Sequence, residues 1–306
     1  MPGVNAPTAV DPLGEPPGAG PTPAITSNWR VMARTFLENR LAIVGLGVIA
    51  FMVLLSFLGP VVWRTQQVSI NLLEADEPPS WAHPLGTDAA GYDMLGRIML
   101  GGQSALELGC AVAIVAMLIG STWGAISGYA GGWLDALMMR AVDVLLSIPT
   151  LVLLLILATM FTPSVLSLIL ILGSLSWLLT SRLVRAEALK LRSQEYVEAA
   201  RLAGCSRRRI VLRHVIPNAL GVIVVQAAFE VADAILGVAY LSFLGLGIPP
   251  PHASWGDILS KGLDELYNGY WWMVYPVGLA IVLTVLGFYT VGNALRDALE
   301  TRLQTR

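Results

Sequence analysis

Apolar positions in this chain come in long, nearly uncharged runs separated by short charged segments. The runs are 41–62, 105–129 (interrupted only by Glu107 near its start), 144–181, 219–246 (which carries Glu230 and Asp233) and 272–295. Crossing about 30 Å of hydrocarbon takes roughly 20 helical residues, and each run is long enough. The stretch 144–181 holds no charge at all. As one helix it would be about 57 Å long, nearly twice the hydrocarbon thickness. It therefore divides into spans 144–161 and 163–181, with Thr162-Pro163 as the expected break. Strands of a membrane barrel would alternate with period two over about ten residues, and these runs do not. The pattern predicts an all-α, polytopic membrane protein with six transmembrane helices over residues 28–303.

Composition agrees. With 55% hydrophobic and 13% charged residues, the chain falls well short of the quarter charged that is usual in soluble domains. Residues 1–27 are rich in Pro, Gly and Ala, with no Lys/Arg and no apolar run. They predict a disordered cytoplasmic tail and not a secretory signal. A net charge of −2 indicates no acidic partner, and no nucleic acid is expected. Cys110 and Cys205 fall in an apolar run and a basic segment, so no disulfide is expected between them.

Charge also orients the spans. With both termini cytoplasmic, sixteen of the nineteen Lys/Arg residues fall inside, and only Arg64, Arg97 and Lys261 fall outside. That asymmetry sets topology. The outside segments are acidic instead, with Glu74, Asp76, Glu77, Asp88, Asp93, Asp257, Asp264 and Glu265.

Nine of the basic residues crowd into one segment, 182–213. Within it, 193–204 reads SQEYVEAARLAG, a run of helix formers ending in Gly204, a usual helix stop. Ser206 is placed to cap a second helix from Arg207 onward. The short side chains of Ala199, Ala200 and Ala203, with Gly204, leave a shallow surface open to close approach. A basic loop alone would only set topology, but Glu-Ala-Ala-x-x-x-Gly followed by Val215-Ile216-Pro217-Asn218 is far more specific.

This segment resembles the coupling loop, or EAA motif, of binding-protein-dependent ABC permeases. His83-Pro84-Leu85-Gly86-Thr87-Asp88 is similar to the outer signature of the dipeptide/oligopeptide/nickel class. Gly128-Tyr129-Ala130-Gly131-Gly132-Trp133-Leu134-Asp135, running on through Met139-Arg140-Ala141-Val142-Asp143 to Ile148-Pro149, looks like its connection between spans two and three. Leu241-Ser242-Phe243-Leu244-Gly245-Leu246-Gly247 and Ser254-Trp255-Gly256 resemble the end of its fifth span and the following loop. Together these point to the C-type permease subunit. The resemblance implies the type I ABC importer permease fold and peptides as cargo. It also implies a prokaryotic inner-membrane complex with a homologous second permease, an extracytoplasmic binding protein and two ATPase subunits or domains that bind ATP and magnesium. Glu195, Tyr196, Glu198, Ala199, Ala200, Arg201, Ala203 and Gly204 would meet an ATPase. The chain departs from the family pattern at Tyr92, Gln103, His214 and Val238, where Arg, Arg, an aliphatic residue and Glu are usual.

Two carboxylates lie inside the fifth expected span, 219–246. Glu230 and Asp233 are three residues apart, hence on one helix face, and Glu230 lies roughly 17 Å into its span. A charge at that depth costs about 2.5–3.5 kcal/mol and faces protein or water, not lipid. The pair is a candidate for lining a translocation path and attracting a cationic group. A polar contact with a partner permease, or carboxylic acids kept neutral by burial, are the other readings. A self-contained proton- or cation-coupled secondary transporter would use the same pair, but such folds carry inverted repeats and no convincing repeat is visible. His83, Asp88 and Asp93 have no standard metal-site spacing. Gly45-x-Gly47-x-x-Ala50 lacks the preceding strand of a dinucleotide fingerprint and reads as a packing feature. Gly120, Gly124 and Gly128 permit a close helix crossing. Neither lysine sits in a Walker A loop, and no enzyme site or resident cofactor is expected.

Overall fold

The computed structural model describes residues 36–304 except 66, 68, 69, 250 and 251; the expected tail 1–27 lies outside them. The described residues are helical throughout their regular structure, with a single isolated bridge between Thr87 and Asp93. We number the main helices α1 (Arg40–Phe57), α2 (Met94–Ala130), α3 (Gly132–Leu146), α4 (Thr150–Met160), α5 (Val165–Arg192), α6 (Glu195–Leu202), α7 (Ile216–Phe243), α8 (Trp255–Leu266) and α9 (Tyr275–Gln304). Among the described residues, five helical segments are long and apolar enough to cross a membrane. The bent pair α3–α4 makes a sixth.

α1 shows how lipid replaces a core on one side. Asn39 caps it, accepting from Leu41 N and Ala42 N. Its buried positions are a narrow stripe of Ala42, Gly45, Met52 and Ser56. The remaining faces expose Leu41, Val44, Phe51 and Leu54, which water would penalise and hydrocarbon accommodates. The stripe packs on α9, where a side chain at Gly45 would run into Thr290 and the Gly287 carbonyl.

Three expected span limits change. α2 begins at Met94, well before Ala105, because Asp93 caps it by accepting from Gly96 N at 2.8 Å. Arg97 and Glu107 are carried inside the helix, and Arg97 is buried between the Tyr92 ring and Asp257. α5 likewise runs on past 181 to Arg192, so the first third of segment 182–213 is helix and not loop. The third span, expected as one helix over 144–161, is instead broken between α3 and α4, which meet at 83°. Pro149 is the cause: it removes a backbone donor and disfavours helical geometry at Ile148. The Thr162-Pro163 break falls between α4 and α5, where Ser164 and Ser167 form a reciprocal cap.

α2 and α5 form the tightest crossing. Side chains at Gly120, Gly124 and Gly128 would collide with Thr180, Ser181, Arg185 and Ala188, so these glycines let two backbones touch. α7 packs across α2, α5 and α9. The helix from Arg207 widens into a π-helical turn at Val211–Val215 before continuing as α7. Pro217 lies just beyond, and the wide turn absorbs its missing donor.

The end that carries α8 is closed by two buried tryptophans. Trp255 Nε1 donates to the Ile98 carbonyl at 2.9 Å, and Trp272 Nε1 donates to the Thr87 carbonyl at 3.1 Å. His83 Nδ1 lies 2.9 Å from Asp93 Oδ2, and Asp88 Oδ1 accepts from Ala90 N and Tyr92 N. These carboxylates brace a folded loop. Burial, and then Glu265 and Asp88 nearby, push the Asp76 carboxyl above its ordinary pKa.

Candidate functional site

The opposite end of the bundle carries α6. Glu195 and Glu198 in its first turn suit the positive end of the helix dipole. The helix stops in a Schellman arrangement. Gly204 N donates to Arg201 O and Cys205 N to Ala200 O, both at 3.1 Å. Gly204 has φ +79°, a conformation in which a Cβ is strained. Ser206 Oγ then accepts from Arg209 N and starts the next helix.

Two turns of helix are too short to be stable alone, so α6 depends on packing. Val197 is its anchor, 2% exposed, set among Ala125, Val184, Ala188, Ile210, Val211 and Val215. Ala200 and Cys205 lie at the edge of the same cluster. Glu195, Tyr196, Glu198, Ala199, Arg201, Ala203 and Gly204 all remain exposed, so of the expected residues only Ala200 turns partly inward. Nothing lies within 4 Å of where a Gly204 side chain would begin. Leu202 is 89% exposed at the tip and was not singled out from sequence, nor was Val197. Their signal was present: they are the two branched aliphatic residues of the stretch 193–204. Beside α6 a cleft of about 450 Å³ is lined by Tyr129, Arg192, Val197, Glu198, Arg201 and Arg207.

Behind α6, ion pairs bind α3 to α5. Arg185 grips Asp135 with two donors, at 2.6 and 2.7 Å. Arg182 meets Asp143 at 2.5 Å.

Glu230 and Asp233 do not share an environment. Three residues turn a helix by about 300°, leaving the two roughly 60° apart, and their neighbours differ. Glu230 is buried, 3% exposed. Asp233 is exposed and accepts a 2.5 Å hydrogen bond from the Tyr289 hydroxyl of α9. Glu230 is thus buried within the bundle, while Asp233 lies exposed on its flank. The i,i+3 spacing sets their angular separation but not which neighbour each side chain meets.

The departures from the family pattern have local partners. The Tyr92 ring sits 5.0 Å from the Arg97 guanidinium carbon. Gln103 Nε2 donates to the Ser56 carbonyl at 2.8 Å, and Val238 is buried in the core. The His214 ring lies 6.2 Å from that of Tyr196.

A helical bundle with five or six spans and a basic helical surface at one end defines a multi-pass membrane protein. Residues 120–305 match the binding-protein-dependent transport system inner membrane components, and residues 27–79 match the N-terminal transmembrane domain of oligopeptide transport permease C. The chain belongs to this family of ABC importer inner-membrane permeases. It is 38% identical to the oligopeptide transport system permease protein OppC of Bacillus subtilis, covering 91% of each chain. It is 37% identical to OppC of Haemophilus influenzae, covering 90% of this chain and 89% of that one. With the dipeptide transport system permease protein DppC of Bacillus subtilis the identity is 35%, over 89% of this chain and 85% of the other. A structure of the MetNI methionine ABC transporter in inward-facing conformations superposes with a TM-score of 0.55 at 19% identity, covering 67% of this chain and 97% of that one. That likeness is one of fold.

Proposed function

We propose that this chain is the C-type permease subunit of an ATP-driven importer of di- and oligopeptides. α6 is its coupling surface. The observation that carries the reading is α6 itself: a two-turn helix anchored through Val197, with Glu195, Glu198, Ala199, Ala203 and Gly204 exposed at the basic end of the bundle. In this reading both termini and α6 are cytoplasmic, as the Lys/Arg distribution favours. Two partner ATPase subunits or domains hold ATP and magnesium and carry out hydrolysis. A homologous second permease completes the path, and an extracytoplasmic binding protein delivers cargo at the α8 end. Closure of the ATPases moves α6 and shifts the spans between inward- and outward-facing states, a population shift driven by differential binding.

Asp233 is the path residue we favour. A carboxylate exposed on the flank of a spanning helix belongs against water or protein, and a fixed negative charge there attracts a peptide ammonium. Glu230 is buried at 3% exposure, which does not favour the open proton or cation site that a secondary transporter would need. The test is uptake of labelled di- to hexapeptides by a deletion strain complemented with this chain, with and without ATP depletion. Loss of uptake on depletion is expected. Uptake that survives depletion and follows the proton gradient would overturn the proposal.

A further inference from the structure

Asp135 lies in the first turn of α3 but is tied to two other helices. Arg185 of α5 donates from Nε to Oδ1 and from a terminal nitrogen to Oδ2. Ser127 of α2 also donates to Oδ1. Three donors from two helices thus converge on one carboxylate that is 8% exposed. The planar guanidinium fork fixes orientation as well as distance. By contrast, the neighbouring pair Arg182–Asp143 is 47% exposed on each side, and pairs so open to solvent contribute little.

The backbone at the same level is equally constrained. A side chain at Gly124 would strike Ser181 O and Arg185 N, and one at Gly128 would strike Arg185 O and Ala188 Cβ. Arg185 therefore touches α2 with its backbone and α3 with its side chain. About 10 Å further along the axis α5 ends at Arg192 and gives way to α6. Val197 folds α6 back against Ala125, Val184 and Ala188, the same α2–α5 crossing. α3 leads through the 83° bend into α4, whose Leu151, Val152, Ile156 and Met160 are exposed.

We infer that the Asp135–Arg185–Ser127 network is a joint that makes α2, α3 and α5 move as one body with α6. Asp135 is then a positioning residue for coupling, acting through Arg185. Packing at the glycine crossing resists compression but does not fix how far α3 follows when α5 is displaced. The bidentate pair does, and with it sets the swing of α4. Coupling of this kind requires an element with discrete arrangements that both ends bias. The inference rests on the importer reading above.

The experiment uses the complete transporter in vesicles, with its own ATPases, second permease and cargo-loaded binding protein. It measures cargo transported and ATP hydrolysed on the same preparation. Asp135→Asn and Arg185→Lys should assemble and hydrolyse ATP while cargo moved per ATP falls by about tenfold. Asp143→Asn, which weakens the exposed Arg182 pair between the same helices and leaves the bidentate Asp135–Arg185 contact in place, should keep the wild-type ratio. The inference is overturned if Asp135→Asn and Arg185→Lys keep the wild-type ratio. Transport and hydrolysis falling in proportion, or neither variant assembling, would also overturn it, because either makes the network a folding element only. Wild-type vesicles that move cargo without ATP would instead sink the importer reading.

Discussion

Gly204 separates two ways in which α6 can matter. It has φ +79° and open space around it, so a new side chain meets strain but no clash within the chain. For an ordinary L-residue the strain is about 1–2 kcal/mol. Asn and Asp tolerate this region better and have nearly the same shape as each other. Gly204→Asn and Gly204→Asp therefore carry similar, small conformational penalties and differ in one negative charge. If the free face of α6 is buried against an ATPase, an unpaired carboxylate there costs about 3–5 kcal/mol, more than a hundredfold in association. The assay is co-purification of the ATPases with the permease, run beside peptide uptake. Gly204→Asn should keep both within a few-fold, and Gly204→Asp should lose both while inserting normally into the membrane. Equal loss in the two variants would show that backbone conformation and not contact is at stake. Wild-type behaviour in both would remove the docking role.

Two further outcomes test other parts of the structure. Asp233→Asn should lower uptake of peptides with a free α-amine more than uptake of their N-acetylated forms; equal effects on both would exclude charge recognition at this position. Trp255→Phe removes the donor to the Ile98 carbonyl and empties the space of the second ring of a fully buried side chain, together a loss of about 2–3 kcal/mol. Thermal unfolding of the detergent-solubilised chain should then fall by about 4–8 °C, and an unchanged midpoint would show that neither the bond nor the packing contributes.

Much of this architecture is local. Uncharged runs of sufficient length must become helices, because lipid cannot satisfy an open backbone. Gly204 and Ser206 punctuate α6 through hydrogen bonds to residues within one turn of themselves or nearly so, and both were legible as stop and cap. The break at Pro149 was also within reach of local chemistry, but the unbroken apolar run around it masked the proline. Counting only uncharged residues shortened α2 and α5, since a helix continues past the hydrocarbon as long as its end groups find a cap and its charges find partners.

The division between sequence and tertiary structure follows the range of the interactions. By itself the sequence determined that the chain is a membrane helix bundle with a basic end, and where its interfacial helix starts and stops. Periodicity, composition and capping act between residues a few positions apart. Only the folded structure decided that Val197 anchors α6, that Glu230 is sealed while Asp233 stays open beside Tyr289, and that Asp135 closes on Arg185, 50 residues away. Those outcomes depend on which helix lies beside which, and that is settled by packing the glycine-lined faces of α2 against α5, a relation no local spacing encodes.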